Sequence, residues 1–490
     1  MRLALITLLF AANAFAQNDA GDVSFANSGA AEAQKPFLHG LALLHDFEYE
    51  SAAKEFREAQ KIDPTFAMAY WGEAMTYTHP VWFQQDAAAG RAVLERLGAT
   101  KAKTERERDY LRAVAVLYGE GPKNDRDFKY ADAMRGVHER YPDDIDATAF
   151  YAVALLGTSH AGRDYATYMR AAALLEEVLP SHPNHPGVLH YLIHCYDDPI
   201  HAPLGMRAAR RYGAVAPNAG HALHMTSHIF IAMGMWNDVI DANVRAIDVV
   251  GRQRAAMGKS PDPGCGHYPL WLHYAYLQVH RFDDARKSLD SCRASALASK
   301  FVAAGEMDTY DGRFLLFADM RANQIASGGT LTAEDDISIP AGPEHANARF
   351  TMAYGDVLAA RHAPAALKAA VARLHALQQD ALGRVEQHHS ANPSRRIRVE
   401  VMGEQADALE LIAEGKRDEA IAMLEKTVKS ETSMPFEFGP PFVEKPTYEL
   451  LGEELLAAGR PADAAAAFRS ALERTPGRTV TVEGLAKASK

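Results

Sequence analysis

Cysteine is scarce, with three in 490 residues, Cys195, Cys265 and Cys292. An odd number admits at most one internal disulfide and leaves at least one thiol over. Their spacings fit no zinc motif, so a buried free thiol is the plain expectation for each. Convincing alternating apolar and polar stretches are missing, which argues against strands. Basic charge is also in deficit: 52 Lys and Arg stand against 63 Asp and Glu, a formal net charge of -11. That balance argues against nucleic acid or an anionic membrane surface as the main partner. No later apolar run reaches the roughly 18 residues a membrane helix needs, so no membrane span is expected. The run at the start, MRLALITLLFAANAFA, has Arg2, an apolar stretch from Leu3 to Ala12 and the small-residue ending Ala14-Phe15-Ala16. It reads as a cleavable secretory signal over residues 1–16, with the mature chain beginning at Gln17 and no cysteine there for a lipid anchor. The expected location is therefore periplasmic or secreted, with residues 17–32 as a flexible tail.

Several catalytic motifs are absent or broken. Gly258-Lys259-Ser260 looks like the end of a phosphate loop, but Gln253 stands where the leading glycine belongs and the preceding segment is helical. GTSHAG (157–162) puts Ser159 beside His160 without the glycine spacing of a nucleophile elbow. No HExxH helix occurs, and a mature Gln17 excludes a copper-binding N-terminal histidine.

What the chain does have is helical periodicity with an internal repeat. FLHGLALLHDFEYESAAKEFREAQKIDPTFAMAYWGEA carries Gly40, Tyr49, Ala52, Phe56, Ala59 and Pro64. PTYELLGEELLAAGRPADAAAAFRSALERTP carries Tyr448, Gly452, Gly459, Ala464, Phe468, Ala471 and Pro476. Weaker copies follow Gly234, Phe282 and Gly415. Small residues let two antiparallel helices approach, aromatics fill the gap between them, and proline ends the second helix. The pattern resembles that of exported bacterial tetratricopeptide repeat (TPR) proteins. The resemblance implies an all-α, right-handed TPR α-solenoid of about nine or ten hairpins, some degenerate, whose groove is lined by the first helix of each pair. In this frame residues 33–325 form the array, with an inserted loop at 254–265. Residues 326–345 are a linker, 346–400 an irregular helical region, and 401–490 C-terminal repeats with a Pro-rich crossing at 434–446.

The repeat frame makes a pattern out of the histidines, of which the chain has 21. Pro183 and Pro217 end successive hairpins, so first helices are expected at about 187–198 and 221–233. His190 and His224 are then equivalent, as are His194 and His228. Within each helix the two are four apart, one turn above each other on one face. His221 extends the second stripe back by a turn, and Asp197 extends the first forward. Leu189, Leu192, Ile193 and Tyr196, with Leu223, Ser227 and Phe230, form the packing face, which directs the histidines at the groove. Peptide-binding TPR relatives more often show Lys, Arg and Asn there, so the histidines depart from a carboxylate clamp. Facing imidazoles on helices about 8 to 10 Å apart can share an ion with metal–nitrogen bonds of about 2.0 to 2.1 Å. His201 and His267 are further candidate ligands, and Asp197 or Asp198 a ligand or an acceptor that fixes a tautomer. The expected cofactor is a divalent transition metal, zinc, copper, nickel and iron being equally suited to imidazole.

Other readings of the cluster stand beside this one: a metal-free site for a small polar ligand, a TPR scaffold for a peptide or protein partner, and a metal-dependent enzyme without an evident general base. His45 and His79, also 34 apart and near Trp71 and Trp82, are expected chiefly to cap helix C-termini. His388 and His389 are expected in a solvated loop.

Overall fold

A computed structural model describes residues 19–98, 100, 102–299, 312–387 and 392–490. The expected signal 1–16, Gln17, and the pair His388 and His389 lie outside the described residues. Among these residues there are 22 α-helices, and the only strands are Thr78–His79 and Gln84–Gln85, paired antiparallel. Helices follow one another as hairpins: Gln34–His45 with Tyr49–Ile62, Ala67–Met75 with Ala87–Leu97, Glu105–Leu117 with Lys123–Arg140, and Ile145–Leu156 with Tyr165–Val178. The central ones are Pro186–Cys195 with Ala202–Val215, Gly220–Ala232 with Trp236–Ala256, and His267–Gln278 with Phe282–Ala298. After the single helix Gly312–Ala326 come Ala346–Ala360 with Pro364–Gln387, Ser394–Ala413 with Arg417–Thr432, and Thr447–Ala457 with Pro461–Arg474, before the closing helix Thr479–Ala488. The architecture is an all-α solenoid of ten helical hairpins among the described residues, the arrangement that the TPR resemblance implies. No described helix is long and apolar enough to cross a membrane.

Local chemistry explains these elements. Asp144 caps the Ile145–Leu156 helix by accepting from the Ala147 amide, and Thr104 with Glu107 forms a reciprocal capping box on Glu105–Leu117. Pro186 opens its helix at a position that needs no amide donor. Close approach within hairpins follows the repeat pattern. A β-carbon on Gly40 would lie 3.2 Å from the Phe56 ring, and one on Gly452 2.7 Å from the Phe468 ring. The glycine of the first helix thus makes room for the aromatic of the second, once at each end of the chain.

The structure corrects three expectations. Residues 19–32 are not a loose tail: Phe25 is buried against Phe37, Trp71 and Tyr110, and the Ser28 amide donates to Glu107 at 2.7 Å. The stretch 327–345 is not a plain spacer, since its buried Asp335 accepts from Arg286 at 2.7 and 2.8 Å. Cys265 and Cys292 form a disulfide that ties the loop after Trp236–Ala256 to the helix Phe282–Ala298, leaving Cys195 as the buried free thiol.

Both ends of the solenoid pack onto its middle. The turn after Gln34–His45 reaches the hairpin of Pro186–Cys195 and Ala202–Val215, where Tyr212 of the second helix donates its hydroxyl to Asp46 at 2.6 Å. From the other end Arg478 donates to the Tyr274 hydroxyl at 3.0 Å, and Trp236 donates to the Gly477 carbonyl at 2.9 Å. The histidine helices lie between these two closures.

Candidate metal centre

The four histidines of the repeat frame do not converge on one point. His190 and His194 join His221, and His224 and His228 join His267, with one nitrogen from each residue of a set within 4.8 Å of the others. Each set is therefore an i,i+4 pair on one first helix plus a histidine from the first turn of the next: His221 in Gly220–Ala232, His267 in His267–Gln278. The 34-residue equivalence places His190 opposite His224. In the packed structure the neighbour lies about a turn earlier, because helical side chains lean toward their own N-termini and successive helices cross at an angle.

The face that carries the histidines is covered rather than open. His190 and His224 are completely buried, and His194, His228 and His221 are 3, 2 and 7% exposed. Aromatic side chains from far along the sequence close the face. Phe47, in a left-handed turn conformation at φ 58°, meets His190 at 4.3 Å and His221 at 5.7 Å between ring centroids. Trp82 meets His221 at 5.7 Å, and Phe438 of the Pro-rich crossing meets His228 at 5.5 Å. Tyr268 stacks on His224 at 4.4 Å, and Trp271 lies 4.3 Å from His228. Leu189, Leu192, Ile193, Tyr196, Leu223, Ser227 and Phe230 are buried, as a packing face requires.

Hydrogen bonds fix how several imidazoles point their lone pairs. His190 donates from Nδ1 to the His45 carbonyl at 2.6 Å. Asn243 donates its amide to the Val239 carbonyl, so its oxygen is left to accept from His224 Nδ1 at 2.7 Å. Asp197 accepts from His228 Nδ1 at 2.5 Å. His221 Nδ1 lies 3.3 Å from the Tyr268 hydroxyl, which can accept its proton. For His190, His224 and His228, Nε2 is therefore the nitrogen left to bind something else, the arrangement common to metal-ligating histidines. Among the described residues, Nε2 of His190, His194 and His221 has no hydrogen-bond partner. His224 and His228 face each other through Nε2 at 3.2 Å. Burial first, and neighbouring imidazoles second, push His190, His194, His221 and His224 well below the usual histidine range. Burial and His228 push His267 down to about 3. These five imidazoles are therefore neutral and able to donate at neutral pH.

The other candidates sit elsewhere. Asp197 lies between the two sets, within 4.8 Å of ligand atoms on His194 and His228. His201 joins neither set; its Nδ1 is 2.9 Å from the Asp198 carboxylate. His79 stacks on Tyr49 and approaches the Thr76 carbonyl at 3.3 Å, a terminal bond rather than a site. His45 contributes through its backbone carbonyl. Its ring bonds Asp146 at 2.9 Å and the Tyr191 hydroxyl at 3.0 Å, while His185 Nε2 lies 3.4 Å from the same Asp146 oxygen. His185 Nδ1 accepts from the Val188 amide, so its proton is on the side facing Asp146. Burial alone would raise the Asp146 carboxyl, but the His185 and His45 imidazoles beside it hold it well below its usual range. In this third group Asp146 and Tyr191 occupy both nitrogens of His45, while His185 Nε2 makes no hydrogen bond but, with Nδ1 accepting from Val188, carries the ring proton and so offers no lone pair.

The Asn243, His45 and Tyr268 contacts had no counterpart in the sequence reading, nor did the Phe47, Trp82 and Phe438 cover. A cavity of about 270 Å³ reaches the centre from the C-terminal side, where His267, Trp271 and Phe438 are part of its wall. No family model and no curated relative matches the chain. Among solved structures it is similar to the Cut9–Hcn1 hetero-tetramer of APC/C at 13% identity, covering 95% of this chain and 78% of that one, with a TM-score of 0.34. Yeast Tom70 is similar at 11% identity, with 94% and 89% covered and a TM-score of 0.34. The TPR domain of P58(IPK) is similar at 13% identity, with 94% and 98% covered and a TM-score of 0.23. At these scores nothing about the histidine centre is carried across.

Proposed function

We propose that this protein is an exported TPR-repeat protein that binds a transition-metal ion inside its solenoid, on Nε2 of His190, His194 and His221. Two observations support this: His190, His194 and His221 each bring one ring nitrogen within 4.8 Å of the others, and each has a buried Nε2 with no hydrogen-bond partner. Leaving a buried polar atom unsatisfied costs about 1–3 kcal/mol, and three in one set is a standing penalty that a shared cation removes. Neutral imidazoles suit zinc, copper, nickel or iron, and the aromatic cover would shield the bound ion from solvent. A plain peptide scaffold needs this face open, whereas it is buried under Phe47 and Trp82.

Titration calorimetry with Zn²⁺ and Cu²⁺ tests the reading. Wild-type protein should take up stoichiometric metal, and changing His190, His194 and His221 together to Gln should remove at least one tight ion per chain. Changing His375, which pairs with Asp407 away from the centre, should change nothing. A wild type without stoichiometric metal, or a triple variant that binds as the wild type does, overturns the proposal.

A further inference from the structure

We infer that the chain holds two such ions side by side, the second on His224, His228 and His267. The inference rests on the metal reading above and extends it from one seat to two.

The second set repeats the construction of the first: a helical i,i+4 pair and a first-turn histidine from the following helix. Its clearest sign is the contact between His224 and His228. Asn243 and Asp197 hold both Nδ1 protons, so two Nε2 lone pairs point at each other across 3.2 Å. Without a shared proton such a pair repels, and a cation beside it removes the repulsion. With metal–nitrogen bonds of about 2.0–2.1 Å, two nitrogens of a tetrahedral site are about 3.3–3.4 Å apart, close to the separation already present. His267 supplies the third nitrogen and is the member of the set that reaches the cavity, which gives the ion a route in.

The sets adjoin one another. His194 and His228 are 5.8 Å apart between ring centroids, and His221 and His224 are 6.1 Å apart. Two like charges this close repel, and the Asp197 carboxylate between His194 and His228 is placed to offset that repulsion. The ligand class is thus a pair of borderline transition-metal ions with imidazole ligands, flanked by one carboxylate.

Elemental analysis after loading with Zn²⁺ and desalting gives the count. The wild type should retain two ions per chain. His267→Gln should retain one, His221→Gln one, and the double variant none, with circular dichroism showing unchanged helix content. Loading with Cu²⁺ adds a readout independent of any variant: at two equivalents, electron paramagnetic resonance should show two magnetically coupled ions. One ion per wild-type chain overturns the second site while leaving the first reading intact. Retention of two ions by His267→Gln, or two uncoupled copper spectra, also overturns it. No ion in the wild type removes the metal reading and this inference together.

Discussion

His45 and His224 are both completely buried imidazoles, and the partners of their two nitrogens separate their roles. Both nitrogens of His45 meet hydrogen-bonding side chains, whereas Asn243 occupies only one nitrogen of His224 and turns the other toward His228. Replacing Asn243 by Leu removes the acceptor and frees the His224 tautomer. The expected result is a loss of about 10–100-fold in Zn²⁺ affinity at the His224 set, in line with other outer-shell acceptors, with the His190 set unchanged. Calorimetry that found both binding events intact would show that Asn243 does not orient the ring. Burial has a second consequence at this scale, in acid. It pushes His45 and His273 down to about 4, so both are neutral in the folded protein near neutral pH. The unfolded chain takes up those protons below about pH 6.5. Stability present above that pH is therefore lost as pH falls from about 6.5 toward 4, by roughly 1.4 kcal/mol per pH unit for each group. Urea midpoints of metal-free protein should be level between about pH 7.5 and 6.5 and clearly lower at about pH 5.5. A midpoint that stayed level to the lowest pH would contradict the burial of these rings.

Within single elements the sequence was readable, because its signals are local. Gly40 and Phe56, or Gly452 and Phe468, are near in sequence and meet inside one hairpin, so their spacing reports the fold directly. The i,i+4 pairs His190 with His194 and His224 with His228 survive into the structure for the same reason. Between elements, legibility falls away. Repeat equivalence aligned His190 with His224, but the crossing of the two helices brings His221 to the first pair and leaves His224 for His267. The cover was invisible altogether. Phe47 and Phe438 reach the centre from segments well over a hundred residues away, and no local pattern marks a residue that closes a distant face. The disulfide escaped for a related reason: Cys265 and Cys292 meet because the inserted loop packs onto the second helix of the hairpin that follows it, which a count of cysteines does not reveal.

On the scale of the whole molecule, the centre is buried because the solenoid closes on itself, and the closure at the C-terminal side depends on Arg478. Its guanidinium is completely buried and donates to Glu449 at 2.8 Å, to the Tyr274 hydroxyl at 3.0 Å and to the Ala326 and Glu444 carbonyls at 3.2 and 3.3 Å. One side chain thus ties the closing helix to the His267 helix and to the end of the crossing that carries Phe438. Arg478→Leu leaves the buried Glu449 carboxylate with Lys445 as its remaining cation and removes the donor to the Ala326 and Glu444 carbonyls. Breaking a buried pair in this way costs about 3–5 kcal/mol, so thermal stability should drop sharply. The crossing should loosen with it, and Zn²⁺ should then escape to a chelator faster than from the wild type. Phe438→Ala separates the two effects, since it uncovers His228 and His267 without disturbing the Arg478 network. Its melting temperature should fall much less, while chelator-driven Zn²⁺ release should still accelerate several-fold. Release rates equal to the wild type in both variants would mean that the ion leaves by another path and that the C-terminal closure serves stability alone.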